Sequence, residues 1–328
     1  MVALRFDSLI VIGVNLRWVR LVMVRRLMMR LLSLLAVLFA ALTLTFVLLR
    51  LSPGNPFLGE RDLTPAQIAA KEREYKLDGP MVSQVARWWG DALQGDLRQS
   101  LKARNFSVRE ILAQSLPVSF ALGGIAFLLA ATGGVVWGAL AAARRNQLTD
   151  RMAMTGALLA ISLPAFVTGP VLVLVFGLVL GWLPAGGWGD WTQVILPAIC
   201  LAVPWAASVA RLMRNSMIET LGMEFIRTAR AKGLPERQIV TKHALKMALL
   251  PVVSYLGPLA ANLLTGSVVV ESVFAIPGAG QHFVNSIVNR DGFLLQGAVA
   301  VYGTLLVGMN FLVDALYSAL DPRIRRHE

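Results

Sequence analysis

Six stretches of this chain carry no charged residue: 31–49, 111–143, 152–189, 191–210, 247–270 and 292–313. A helix needs roughly 20 apolar residues to cross ~30 Å of hydrocarbon, and only helices or closed barrels satisfy their backbone groups there. The runs are too long and too uniformly apolar for barrel strands, which alternate between a lipid face and a lumen face. A soluble domain of 328 residues would also carry more than 15% charged side chains. The reading is therefore an all-α membrane protein with six transmembrane helices. The second and third runs exceed one span, so they are expected to tilt or to continue into amphipathic ends.

Lysine and arginine set the expected orientation. An even number of spans puts both termini on one side. If that side is the cytoplasm, residues 1–30 contribute six basic residues, 144–151 three, 211–246 eight and 321–328 three. The short segments on the other side contribute none between 183 and 191, and only Arg290 between 271 and 295. This is the positive-inside asymmetry, so cytoplasmic N- and C-termini are expected. The long segment 52–110 balances nine basic against eight acidic residues. The formal net charge of +12 is then a topology signal. Nucleic acid is not an expected partner, because the basic residues flank spans and no aromatic-interleaved basic platform exists.

The long outer segment reads as short helices lying on the surface. Leu51-Ser52-Pro53-Gly54 ends the first span with turn chemistry. Thr64 and Pro65 are placed as N-cap and first residue of a helix. Residues 81–93 are amphipathic and contain Trp88-Trp89, read as an interfacial anchor rather than a ligand cage. The parts are a mobile N-terminal extension (1–22), the first span with the outer helical loop (23–110), a core of the remaining spans (111–320), and a cytoplasmic tail (321–328). Cys200 is alone and inside an apolar run, so it reads as a packing residue. His243, His282 and His327 are too scattered for a metal site.

One connection is more than a connection. Between the fourth and fifth runs lies a basic segment, 213–246, with EFIRTARAKG at 224–233. Residues 223–232 suit a short helix. Gly233 fits the position after it, where a left-handed backbone is needed. Pro235 and Glu236 suit the start of a second helix, the acid lying near the positive end of its dipole. Phe225, Ala229 and Leu234 are read as one apolar ridge flanked by Arg227, Arg230 and Lys232. A helix–glycine–helix knuckle between two spans suggests a docking element.

The residues here carry a family resemblance. Arg227-Thr228-Ala229-Arg230-Ala231-Lys232-Gly233-Leu234, then His243-Ala244-Leu245 and Leu250-Pro251-Val252, resemble the coupling loop of binding-protein-dependent ABC importer permeases, in the peptide-importer branch. Against the general family pattern, Arg227 and Thr228 stand where Glu and the first Ala would be, while Ala229 and Gly233 match. Leu77-Asp78-Gly79-Pro80, Gly95-Asp96-Leu97, Pro277-Gly278, Asn289-Arg290-Asp291 and Asp321-Pro322-Arg323 extend the resemblance along the chain. Phe57-Leu58-Gly59-Glu60-Arg61, Trp182-Leu183-Pro184 and Ser254-Tyr255-Leu256-Gly257-Pro258 look like the B-type membrane subunit of oligopeptide permeases.

The resemblance implies a type I ABC importer permease fold in a bacterial inner membrane. It implies a second homologous permease subunit, two ABC ATPase subunits and an extracytoplasmic peptide-binding protein as partners, with peptide as substrate and the lipid bilayer as surroundings. Glu224, Phe225, Arg227, Thr228, Ala229, Arg230, Ala231, Lys232, Gly233 and Leu234 would form the ATPase-coupling loop. This chain would bind no cofactor, ATP and Mg being held by the ATPases. It contains no Gly-x-x-x-x-Gly-Lys-Ser/Thr loop to cradle phosphate, so hydrolysis is expected in partner subunits. Dipeptides, nickel or another small cargo are the alternatives within the family. A self-contained secondary transporter would need ionisable residues deep in the spans, and the sequence offers only Asp314, near the inner end. A membrane hydrolase would need a buried nucleophile and base, for which His243 and His282 are poorly placed.

Overall fold

The computed structural model describes residues 16–51, 64–103, 106–265 and 267–320. The expectations for the segment before residue 16, for the turn after Leu51 and for the tail 321–328 lie outside the described residues. Thirteen α-helices make up the described chain, in the order α1 (Leu16–Leu51), α2 (Pro65–Glu74), α3 (Met81–Leu93), α4 (Val108–Ala143), α5 (Leu148–Ser162), α6 (Ala165–Leu172), α7 (Trp191–Leu221), α8 (Glu224–Ala231), α9 (Glu236–Gln238), α10 (Leu245–Thr265), α11 (Val268–Val273), α12 (Ala279–Val288) and α13 (Gly292–Leu320). Among the described residues, five helices are long and apolar enough to cross a membrane, and a bent pair makes a sixth span.

That bent pair is the third apolar run. α5 and α6, the latter continuing as a wider π-helical stretch over Val173–Val179, meet at 108°. The break is local in origin. Pro164 disfavours helical backbone in the residue before it, and Leu163 sits at φ −87°, ψ 120°. The excess length of this run is thus a sharp corner rather than a tilt.

The core lies between α4 and α7, the most extensively packed pair, with α10 closing over both. Glycines let them approach. A Cβ on Gly123 would stand 2.6 Å from the Leu263 carbonyl oxygen of α10, whereas Gly124 and Gly133 have nothing within 4 Å. Each of the glycine pairs in the second run therefore has one packing member and one open one. Membrane helices gain stability chiefly through such close van der Waals contact, because lipid tails are as apolar as the helices themselves.

The described part of the α1–α4 connection, 64–103 and 106–107, folds back on the bundle. Thr64 and Gln67 form a reciprocal capping box at the start of α2, and Ser107 with Glu110 does the same for α4. Of the paired tryptophans of α3, Trp88 is a packing residue rather than an interfacial anchor. Trp88 is 1% exposed and packs with Leu42 and Phe46 of α1. Trp89 stacks on Phe39 at 4.8 Å between centroids and donates Nε1–H to Thr43 Oγ1 at 3.2 Å. The Trp88 ring is thus removed from its surroundings against α1, while the half-buried Trp89 finds a partner there for its N–H. On the same helix, Asp91 accepts hydrogen bonds from Lys76 and Arg98, and the Arg98 guanidinium lies 5.1 Å from the Phe293 ring centroid.

Buried acids mark the remaining joints. Asp291 is 1% exposed, caps α13 through Leu294 N–H at 3.1 Å, and accepts from Ser100 Oγ and from Leu101 N–H. Glu271 is fully buried. It accepts from Ser267 Oγ and from Gly280 N–H at 2.8 Å, while Ser119 Oγ accepts from Ala279 N–H at 3.0 Å. The first donors of α12 are satisfied by side chains of α4 and α11, not by a residue of its own. Asp150 of α5, 2% exposed, is held by Arg214 of α7. The sequence pointed instead to Asp314, whose side chain lies outside the described residues.

Candidate functional site

The segment between α7 and α10 is folded into two short helices and a π-helical stretch. α7 ends at Leu221, and Gly222 and Met223 alone separate it from α8. Glu224 stands in the first turn of α8 and Arg230 in the last, each opposite in sign to the dipole end it faces. Gly233 then takes φ +76°. Its N–H bonds the Arg230 carbonyl at 2.9 Å, and the Leu234 N–H bonds the Ala229 carbonyl at 3.4 Å. This pair of reverse bonds is the Schellman closure that a glycine after a helix makes possible. Pro235 caps the next turn, α9, preceding rather than opening it. The chain runs on through a π-helical stretch, Ile239–Ala244, directly into α10.

The expected apolar ridge is divided between two faces. Ile226, which the sequence reading did not single out, is fully buried, and Ala229 is 6% exposed. Both join Met213 and Met217 of α7 with Ile239 and Ala244 in the main core, and Leu234 packs at its edge. Phe225 stays 40% exposed. The i, i+3 spacing of Ile226 and Ala229 was the available signal, since it puts both on one stripe of an α-helix.

Ion pairs brace the outside. Arg230 Nε donates to Glu236 Oε1 at 2.6 Å and ties α8 to α9. Arg227 Nη1 donates to Glu224 Oε1 at 2.7 Å, and Thr228 Oγ1 donates back to the Glu224 carbonyl. The hydrogen bond to Glu236 favours the charged form of Arg230 still further. Phe225, Arg227, Thr228, Ala231, Lys232 and Gly233 are all solvent-exposed. The structure thus brings the predicted residues into one knuckle with a buried root and an exposed crest that combines an aromatic ring with basic side chains.

A bundle of apolar helices with a compact, ion-paired knuckle between two of them defines an integral membrane protein with a structured connection between α7 and α10. The family model described as binding-protein-dependent transport system inner membrane component matches residues 134–326. The oligopeptide transport system permease protein OppB of Haemophilus influenzae is 45% identical over 298 residues, 90% of this chain and 97% of that protein. OppB of Escherichia coli K12 is 43% identical over 305 residues, 92% of this chain and all of that protein. The dipeptide transport system permease protein DppB of Bacillus subtilis is 42% identical over 306 residues, 93% and 99% of the two chains. The inward-facing MetNI methionine ABC transporter has a chain of like fold, at TM-score 0.54 and 19% identity, covering 64% of this chain and 96% of that one. The chain belongs to the family of binding-protein-dependent transport system inner membrane components. It is a multi-pass inner-membrane permease subunit of the ABC importer class.

Proposed function

We propose that this chain is the membrane subunit of an ATP-driven importer of oligopeptides. The observation that carries the cargo is 43–45% identity to OppB proteins over nearly their whole length. Dipeptides are the second reading, favoured by the 42% identity to a dipeptide permease. In this reading the knuckle and both termini face the cytoplasm, as the Lys and Arg distribution favours. A second homologous permease completes the pathway. Two ATPases, which hold ATP and Mg and perform the hydrolysis, lie beneath it. A peptide-binding protein delivers cargo from outside.

The residues of this chain supply coupling rather than chemistry. Glu224, Phe225, Arg227, Thr228, Ala229, Arg230, Ala231, Lys232, Gly233 and Leu234 form the element that sits in an ATPase groove. Phe225 is the anchor into that groove, supported by its exposure beside basic side chains. The buried root formed by Ile226 and Ala229 holds the knuckle to α7, so that closure of the ATPases moves helix and knuckle together. That motion exchanges outward-facing and inward-facing states.

Purification of the tagged chain from its native membrane in mild detergent, followed by mass spectrometry, tests the assembly. Recovery of a second six-span permease and two ATPases, with ATP hydrolysis stimulated by peptide-loaded binding protein, is the expected result. A chain that purifies alone, where other membrane complexes stay intact, would sink the reading.

A further inference from the structure

Asp150 and Arg214 form a bidentate pair across 64 positions of sequence. Arg214 Nε donates to Oδ1 at 2.6 Å and Nη2 to Oδ2 at 2.7 Å. Asp150 also accepts from the Asn146 N–H at 2.9 Å, and Asn146 takes φ +64° in the turn between α4 and α5. The fork geometry fixes the relative direction of the two side chains as well as their distance.

The position of the pair gives it meaning. Arg214 is in the last three turns of α7, the same turns whose Met213 and Met217 share a buried cluster with Ile226 and Ala229 of the knuckle. Asp150 is in the first turn of α5, the helix that leads into the 108° corner and then into α6. α6 in turn packs on α7 and α11. Apolar contact between α5 and α7 can slide at little cost, whereas a two-bond ionic fork cannot slide without breaking. A buried carboxylate left without its partner is strongly disfavoured, so the fork stays closed through a rigid-body displacement.

We infer that Asp150 and Arg214 are positioning residues that carry displacement of the knuckle from α7 into the broken span α5–α6. The inference rests on the importer reading above and deepens it. Loss of the fork leaves the knuckle free to follow the ATPases while the broken span lags, so ATP is consumed without proportional transport.

The test uses the whole complex, reconstituted in liposomes with its ATPases, partner permease, binding protein and a pool of labelled tri- to pentapeptides. Wild type is compared with Asp150→Asn, Arg214→Lys and the double variant, with ATP turnover and peptide uptake read in the same vesicles. Each single variant is expected to keep ATP turnover within about twofold while ATP consumed per peptide rises at least about fivefold. The double variant is expected to be no worse than the worse single, because the pair acts as a unit. An unchanged ratio overturns the inference. So does a proportional fall of both activities, which is what loss of folded complex would produce. If Asp150→Asn fails to assemble, Arg214→Lys is judged by the same ratio, since it keeps the charge at a side chain 21% exposed. A wild-type complex without peptide uptake or peptide-stimulated hydrolysis refutes the importer reading itself, and does so before any variant is compared.

Discussion

Gly134 of α4 lies so close to Val209 of α7 that a Cβ added to it would stand 2.5 Å from the Val209 Cβ. The neighbouring Gly133 has nothing within 4 Å. Two adjacent glycines therefore do different things. Gly134→Ala is expected to cost about 1–3 kcal/mol, because the α4–α7 contact must open. Gly133→Ala is expected to be neutral or slightly stabilising, since alanine is the better helix former by roughly 1 kcal/mol. Thermal unfolding of the two purified variants in the same detergent decides it. Equal melting temperatures would mean the close approach is not rigid.

Gly233 tests the knuckle. Its φ of +76° lies where L side chains rarely go, and no atom stands within 4 Å of an added Cβ. The penalty for Gly233→Val is thus backbone strain alone, about 1–3 kcal/mol. Normal membrane insertion with lost peptide uptake is expected. Gly233→Asn, which tolerates left-handed backbone, should retain part of the uptake. Wild-type uptake by the valine variant would remove the knuckle from the coupling scheme.

Phe225 and Ile226 are adjacent and should fail differently. Ile226 is fully buried, so Ile226→Ala is expected to lower stability by about 2–5 kcal/mol. Phe225 is 40% exposed, so Phe225→Ala should leave melting unchanged. It should instead weaken retention of the ATPases by about 2 kcal/mol or more, as an aromatic anchor in a partner pocket does. Co-purification titrated against salt and detergent measures this. Full retention of the ATPases by the Phe225 variant would show that the exposed crest is not the contact.

Asp91 gives a pH dependence with a definite sign. Partial burial pushes its carboxyl up, but the hydrogen bonds from Lys76 and Arg98 outweigh this and hold it below the ordinary carboxylate value. A depressed value means the contribution is fully present above the unfolded value, ~3.9, and is lost as pH falls through the folded one. The fluorescence of Trp88 and Trp89, on the same helix as Asp91, should report a loosening of α3 in that acid range. Asp91→Asn should abolish this step and start from a looser state at neutral pH. An acid transition unchanged in the variant would assign it to another group.

The knuckle was legible in the sequence because its shape is local. Gly233 must accept a left-handed backbone, Pro235 cannot continue α8, and the two lie within one turn of each other. Ile226 was missed because its i, i+3 relation to Ala229 competes with the i, i+4 relation of Phe225, both of which suit one helix face, and only packing against Met213 and Met217 selects between them. Trp88 was misread for a related reason. A tryptophan pair beside a span suits a headgroup layer or a neighbouring helix, and α1 offers the better-fitting surface.

The sequence by itself determined the number of apolar runs and the form of the knuckle, while the long third run, read as a tilted span, left its corner at Pro164 unannounced. Each depends on transfer of single residues into hydrocarbon or on backbone sterics within a few positions, and such effects add along the chain. Tertiary structure alone decided that Asp150 meets Arg214, that Glu271 satisfies the start of α12, and which glycine of each pair faces a neighbour. Those outcomes depend on which helix faces lie together, and every apolar face is nearly equivalent until close packing and buried hydrogen bonds discriminate among them.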